Sequence, residues 1–303
     1  MPTAVVTGAF SNTGSAVAAE LIRRGWSIRT LTNRTPPAHA SIPALPLEFA
    51  PGALERALAG TDAFVNTYWV RFPHGAESFE RAVRHSSMLI EAARAAGVAR
   101  FVQVSVSNAS EASPLGYYRG KAAVDRAVRA SGLSHAIVHP TLIVGPRDVL
   151  TNNIAWFLRR FPVFARPAGG DFRLQPVLLD DATRIIADAV EHAGPIEVDA
   201  AGPEIVTFGE YVARLARAIG VRRRIVTLPT GAILAALGIA GALLRDTVLT
   251  REELEGLRCD LLVSRSAPLG TSSVFEWLRS NATGMGRGYA NDTLTRFATP
   301  RTS

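Results

Sequence analysis

The stretch Ala4-Val5-Val6-Thr7-Gly8-Ala9-Phe10-Ser11-Asn12-Thr13-Gly14-Ser15-Ala16-Val17 decides the fold. A short apolar run leads into a turn of small residues and then into a helical pattern. Val17 and Leu21 stand four apart, as do Ala18 and Ile22, so these side chains share one helix face. Gly25 supplies a helix stop, and residues 28–31 read as a second strand. The result is a strand–turn–helix–strand unit of about 30 residues, the size of a dinucleotide-binding βαβ unit.

The chemistry of the turn follows from its small residues. Gly8 allows a tight reversal, and Gly14 lets helix and strand approach closely. The free N–H groups at the helix start favour phosphate. The spacing Gly8-x-x-Ser11-x-x-Gly14 matches the T-G-x-x-G-x-x-G fingerprint with Ser11 at the middle glycine. Serine is small there, and its hydroxyl can donate to phosphate. Thr7, Gly8, Phe10, Ser11, Asn12, Thr13 and Gly14 are therefore candidate cofactor-binding residues. NAD-binding units place an acid about 20 positions further on, against the ribose 2′-hydroxyl. This chain has no Asp or Glu between Glu20 and Glu48, and offers Asn33 and Arg34 at the strand end instead. Both suit a 2′-phosphate, which favours NADP(H) over NAD(H); Arg29 is a second candidate.

Working outward, strands alternate with helices through about residue 145. Residues 45–49, 62–67, 101–107 and 136–140 read as strands, and 51–59, 76–96 and a segment from Ser113-Pro114 to Gly132 as helices. That rhythm predicts an α/β fold, a Rossmann-type doubly wound parallel sheet with a smaller C-terminal α/β portion for substrate. The expected nucleotide-binding domain spans 1–150, with 174–195 returning to it; 151–173 and 196–303 form the substrate-binding portion. Beyond 150, residues 152–158, 180–190 and 208–219 read as helices, 174–179 and 196–199 as strands, and 166–172 as a glycine-containing loop. Residues 231–244 are very apolar, and are expected to cover a pocket or a subunit interface. The 62–67 strand ends in Tyr68-Trp69-Val70-Arg71-Phe72-Pro73-His74. Ligands of open α/β sheets bind beyond that edge, so Tyr68, Trp69, Arg71 and His74 are candidate pocket residues, with Asn153 from the later segment.

Composition narrows the function classes. The 303 residues are 48% hydrophobic, enough for a substantial core, with a formal net charge of +7. The arginines are scattered and their longest run is Arg222-Arg223-Arg224, so no nucleic-acid stripe is expected. No stretch reaches the roughly 18 apolar residues of a membrane span, and the N-terminus lacks a signal-peptide pattern. A single Cys259 makes no internal disulfide, which fits a cytoplasmic setting. No metal site is expected.

Lys121 is the only lysine in the chain, although Lys and Arg together number 33. Where positive charge alone is needed arginine serves, so Lys121 is a candidate for chemistry that arginine cannot do. Tyr117 precedes it by four, which puts phenol and ammonium on one helix face a turn apart. A nearby ammonium lowers the phenol pKa and makes a general acid–base. A hydroxyl at the preceding strand end, Ser105 or Ser107, could polarise a carbonyl.

Taken together, Thr7-Gly8 to Gly14, Tyr117-x-x-x-Lys121 with Asp125, His139-Pro140-Thr141 to Gly145-Pro146, and Gln175-Pro176-Val177 to Asp180-Asp181 resemble the short-chain dehydrogenase/reductase superfamily. The resemblance is to its extended or atypical branch, epimerase-like and NmrA-like, over roughly 3–230. It implies that Tyr117 is the acid–base, that Lys121 holds the nicotinamide ribose and that Pro140 contacts nicotinamide. Ser105 holds the family's first serine position and is preferred as the catalytic hydroxyl. The implied function is an NADPH-dependent oxidoreductase or redox isomerase of a small carbonyl, alcohol or activated alkene. The alternative is a non-catalytic NADP(H) sensor or assembly subunit, like NmrA-type regulators or a complex I accessory subunit. Relatives often pair through the helix at 76–96, which makes a homodimer an expectation.

Overall fold

The segments Ala63–Asn66 and Arg100–Val104 are buried at every residue and so on both faces, as strands inside a parallel sheet must be. The computed structural model describes residues 1–50, 52–168 and 171–297. Its elements begin with β1 (Thr3–Thr7), α1 (Asn12–Arg23), β2 (Ser27–Leu31), β3 (Ala44–Leu45), α2 (Ala53–Leu58), β4 (Ala63–Asn66), α3 (Phe79–Ala95), β5 (Arg100–Val104), α4 (Gly116–Ala130) and β6 (His135–Pro140). There follow β7 (Leu142–Val144), α5 (Val149–Arg160), β8 (Val163–Pro167), β9 (Arg173–Leu174), β10 (Pro176–Leu178), α6 (Leu179–Glu191) and β11 (Ile196–Ala200). The chain ends in β12 (Val206–Thr207), α7 (Phe208–Ala218), β13 (Arg224–Leu228), α8 (Thr230–Leu244), α9 (Arg251–Arg258), α10 (Val274–Asn281) and α11 (Asp292–Phe297). Pro51 of the helix expected over 51–59, Gly169 and Gly170 of the expected 166–172 loop, and 298–303 lie outside the described residues.

Two compact units divide the chain. The first comprises Met1–Pro140 and Leu179–Ala200, the second Thr141–Leu178 and the residues from Ala201 onward. In the first unit seven strands pair in the order β11-β6-β5-β4-β1-β2-β3, all parallel. The order reverses between β1 and β4, which is the switch point of a doubly wound Rossmann-type sheet. α3 packs on α2 and on α4, while α1 packs on α6. Val5, Phe64, Phe101 and Ile137 from the strands meet Leu89, Val124 and Val128 from α3 and α4 in one core cluster.

The second unit is built around α5, α7 and α10, whose Leu158, Tyr211, Leu215 and Leu278 are buried together. Three two-stranded pairs, β7 with β10, β8 with β13 and β9 with β12, complete it. α7 and α9 each begin with a capping box, Thr207 with Glu210 and Thr250 with Glu253, which satisfies the first orphan N–H groups.

Several boundaries differ from the sequence reading. β3 covers only Ala44–Leu45, because Asn33 takes the next stretch by pairing its amide with the backbone of Leu47. α3 starts at Phe79, since Ser78 caps it. α4 starts at Gly116 with Leu115 at the cap; Ser113 accepts the Leu115 N–H in a turn just before it. The expected loop over 166–172 begins inside β8, whose partner β13 lies some sixty residues on and leaves no local trace. β11, expected in the smaller portion, pairs with β6 in the large sheet.

Gly14 has no room for a side chain, because a Cβ there would stand 2.3 Å from the Gly8 carbonyl oxygen. Gly14→Ala is therefore expected to cost at least about 1–3 kcal/mol by forcing α1 away from β1. Urea denaturation checks this, with an unchanged midpoint counting against it.

Candidate active site

β1 ends at the switch point, where Thr7 ties the turn to β4. The Thr67 N–H donates to Thr7 Oγ1 at 2.7 Å, and the Thr67 hydroxyl donates to the Thr7 carbonyl at 2.5 Å. Thr7 is thus wholly engaged in the scaffold beneath the turn. Gly8 takes φ +65°, and its N–H bonds Leu31. Ser11 caps α1 by accepting the Gly14 N–H at 3.1 Å, which leaves its own proton free to donate outward. Gly8, Phe10, Ser11, Asn12 and Thr13 form a half-buried rim above this capped helix start. The side-chain oxygen of Asn12 is buried without a partner, an acceptor that suits a ribose hydroxyl. A left-handed glycine, a twelve-residue helix presenting its N-terminus and that orphan acceptor fit a dinucleotide.

The two residues expected at the 2′-phosphate stand in different surroundings. Asn33 spends its amide on Leu47, so it shapes the loop. Arg34 is half-buried, its N–H accepted by Thr32. Arg29 is turned away from the strand's carboxyl end: its guanidinium donates to the Ala59 carbonyl and the Thr61 hydroxyl.

α4 brings Tyr117, Lys121 and Asp125 onto one face, each a turn apart. Lys121 is 3% exposed, and its ammonium donates to the Val104 carbonyl at 2.8 Å. The face of Trp69 lies 4.7 Å from that ammonium. Burial pushes the Lys121 pKa down to about 8, and the Asp125 charge opposes that shift. Tyr117 is half-buried and sits edge-on to Trp69 at 6.0 Å and to Phe79 at 5.9 Å. Gly120 makes this packing possible, because a Cβ there would approach Trp69 to 3.0 Å. A mid-helix glycine costs about 1 kcal/mol. That cost was a readable signal at Gly120, and the sequence reading missed it.

The strand-end hydroxyl differs from the expectation. Ser105 donates its only proton to Asp125 at 2.7 Å, so it faces α4 rather than a substrate oxygen. Ser107 is wholly buried. Asp125 also meets His139 at 3.3 Å, and His139 reaches Asp199 of β11 at 3.7 Å. Asp199 had no sequence signal, since only the β6–β11 pairing brings it there. Pro140 ends β6, and its carbonyl accepts the Ser107 N–H at 2.9 Å.

Of the expected pocket residues, Trp69 meets both Tyr117 and Lys121. The Tyr68 hydroxyl pairs with His85 at 2.8 Å and its ring packs on Phe49, so it belongs to the core side of the loop. Burial holds the Tyr68 phenol well above its usual range. Arg71 lies over Phe72, and His74 is exposed in a backbone bridge to Glu77. Asn153 belongs to the second unit, where its amide clamps the backbone of Ala290. Among the described residues no group of three or more His, Cys, Asp or Glu could hold a metal ion.

A parallel sheet with a capped glycine turn at its switch point, and a tyrosine–lysine pair on the neighbouring helix, defines a Rossmann-type nicotinamide-nucleotide protein. An NAD(P)H-binding family matches residues 8–149. A ceramide reductase of Caulobacter vibrioides is 30% identical over 246 residues, 78% of this chain and 77% of that protein. The chain belongs to the same NAD(P)H-binding family as that reductase, and its structural neighbours include epimerases of the extended short-chain dehydrogenase/reductase branch. It is also 26% identical over 193 residues to NADH dehydrogenase [ubiquinone] 1 alpha subcomplex subunit 9, mitochondrial, of Arabidopsis thaliana. That alignment spans 61% of this chain and only 48% of the subunit. Among solved structures, an NADPH-dependent quinone oxidoreductase of Escherichia coli bound to NADPH shares the fold, with a TM-score of 0.72 at 20% identity over 91% of this chain and 99% of its own. A nucleoside-diphosphate-sugar epimerase of Staphylococcus aureus does so with a TM-score of 0.68 at 17% identity over 92% and 100%.

The lysine leaves a thermodynamic signature. Its folded pKa lies below its ordinary 10.5, so the folded state releases the proton first. The cost of burying the ammonium is full below about pH 8 and fades as pH rises from there towards 10.5. The melting-temperature shift caused by Lys121→Met is expected to be more favourable at pH 7 than at pH 10, because only the lower pH carries the full cost of the buried ammonium. Melts at both pH values test this, and an equal shift at both would exclude the titration.

Proposed function

We propose that the chain is an NADPH-dependent oxidoreductase or redox isomerase acting on a carbonyl, its alcohol or an activated alkene. The observation that carries this reading is Lys121, a lysine buried one turn from Tyr117 against the Val104 carbonyl. A buried titratable group whose pKa is displaced towards neutrality, beside a second proton carrier, marks a site built for proton transfer. Bound NADPH would supply the hydride. The rim at 8–14 would hold the diphosphate on the α1 N–H groups, and Arg34 would meet the 2′-phosphate. Lys121 would hold the nicotinamide ribose and keep the Tyr117 phenol acidic enough to give and take a proton. The phenol proton goes to the oxygen of the reduced carbonyl and returns in the reverse direction.

Asp125 supports this by its charge, which favours the ammonium form of Lys121. Ser105 is then a positioning residue that holds Asp125, in place of the catalytic hydroxyl first expected. The name of the Caulobacter relative makes ceramide one substrate to test, beside simple aldehydes and enones. A second reading, NADP(H) binding without turnover, is favoured by one observation. The hydroxyl expected to polarise the substrate is spent on Asp125.

Tyr117→Phe is expected to lower turnover by about 10²–10⁴-fold while NADPH affinity stays within a few fold. Absorbance of the nicotinamide and fluorescence titration measure the two; loss of NADPH binding would overturn the assigned role. Tight NADPH binding with no oxidation against that substrate panel would favour the second reading. Arg34→Glu is expected to weaken NADPH at least about tenfold and leave NADH nearly unchanged, and equal losses for both would remove Arg34 from the 2′-phosphate.

A further inference from the structure

α8 breaks the usual rule that a helix apolar around its whole circumference is buried. Only Ile233 and Gly241 of its 15 residues are buried, while Ile239 is 67% and Leu243 82% exposed. No charged side chain occurs from Ile225 to Leu244, between Arg224 and Arg245. At 1.5 Å per residue the helix is about 22 Å long, too short for a hydrocarbon core of about 30 Å. No helix among the described residues is long and apolar enough to cross a membrane. An uncovered apolar helix of this length can dip into one leaflet without crossing the bilayer.

We infer that α8 seats this chain on a lipid surface bearing anionic headgroups. The helix end is fixed in place: Tyr289 donates to Asp246 at 2.7 Å, and Asn291 donates to the Leu244 carbonyl at 2.8 Å. The Tyr289 ring lies 5.3 Å from Trp156, and Trp156 lies 6.2 Å from Phe161. Phe161 is 47% and nearby Val163 43% exposed, so the apolar surface continues past the helix. Basic groups rim it. Exposed Arg245 ends α8, Arg160 stacks over Trp156 at 4.8 Å, and exposed Arg224 is the strand partner of Val163. The nearest acid, Asp246, is taken up by Tyr289 and Thr293. An apolar strip with an arginine rim complements acyl chains beneath anionic phosphates. A second copy fits less well. The exposed helix residues are Ala, Gly, Ile and Leu, without the aromatic anchors of interface hot spots, and a two-fold contact would bring the arginine rim against itself.

The test is co-sedimentation of the full chain with vesicles of phosphatidylcholine, alone and with about a third phosphatidylglycerol. The chain is expected to pellet with the anionic vesicles and to lose about fivefold in partitioning for each of Arg160→Ala, Arg224→Ala and Arg245→Ala. The double variant Ile239→Glu, Leu243→Glu is expected to stay in the supernatant with an unchanged melting temperature and NADPH titration, since both side chains are exposed. A wild-type chain that stays in the supernatant with both vesicles overturns the inference. So does a double variant that pellets like wild type, or one that turns a dimer into a monomer by light scattering.

Discussion

The bond from the Lys121 ammonium to the Val104 carbonyl holds the candidate site together. A cation with so little access to water is costly unless protein groups replace its hydration. Three do so here: the carbonyl at the end of β5, the face of Trp69 and the Asp125 charge one turn along α4. Each substitute makes its own demand. Trp69 needs the space that Gly120 leaves on the helix, and Asp125 needs the Ser105 proton. Through His139 and Asp199 the same network reaches β6 and β11. The rotation of α4, and with it the position of the Tyr117 phenol, is set from four strands and loops at once.

The nucleotide rim depends on backbone geometry more than on side-chain chemistry. Gly8 turns the chain with a left-handed φ, Gly14 lets the helix start against the turn, and Thr7 binds the whole to Thr67 across the switch point. Because β1 and β4 are neighbours, the loop after β4 begins beside the helix N-terminus. That adjacency brings Trp69, from one crossover, to Lys121 and Tyr117, from the next. The glycine turn and the tyrosine–lysine pair of the candidate site are thus positioned by a single reversal of strand order.

The second unit follows a different logic. α7 hides Tyr211, Val212 and Leu215 on one face and leaves its polar residues outside, as an ordinary surface helix does. α8 has no polar face to leave outside, and almost none of it is hidden. Its arginine-rimmed surroundings assign that surface to a lipid boundary rather than to the protein's own core.

Local pattern carried much of this molecule. Alternating apolar runs and helical stripes foretold the parallel sheet, the glycine turn marked the nucleotide unit, and the four-residue spacing put Tyr117 and Lys121 on one face before any coordinates. Those features are encoded within a few residues of themselves, in propensity, periodicity and φ. Pairing and burial decided the rest. Whether Ser105 faces a substrate or Asp125, whether Tyr68 turns to the site or to His85, and whether β8 exists at all depend on partners from 17 to about 60 residues away. A hydroxyl's direction and a short strand's pairing are consequences of what folds against them, so only the tertiary structure could determine them.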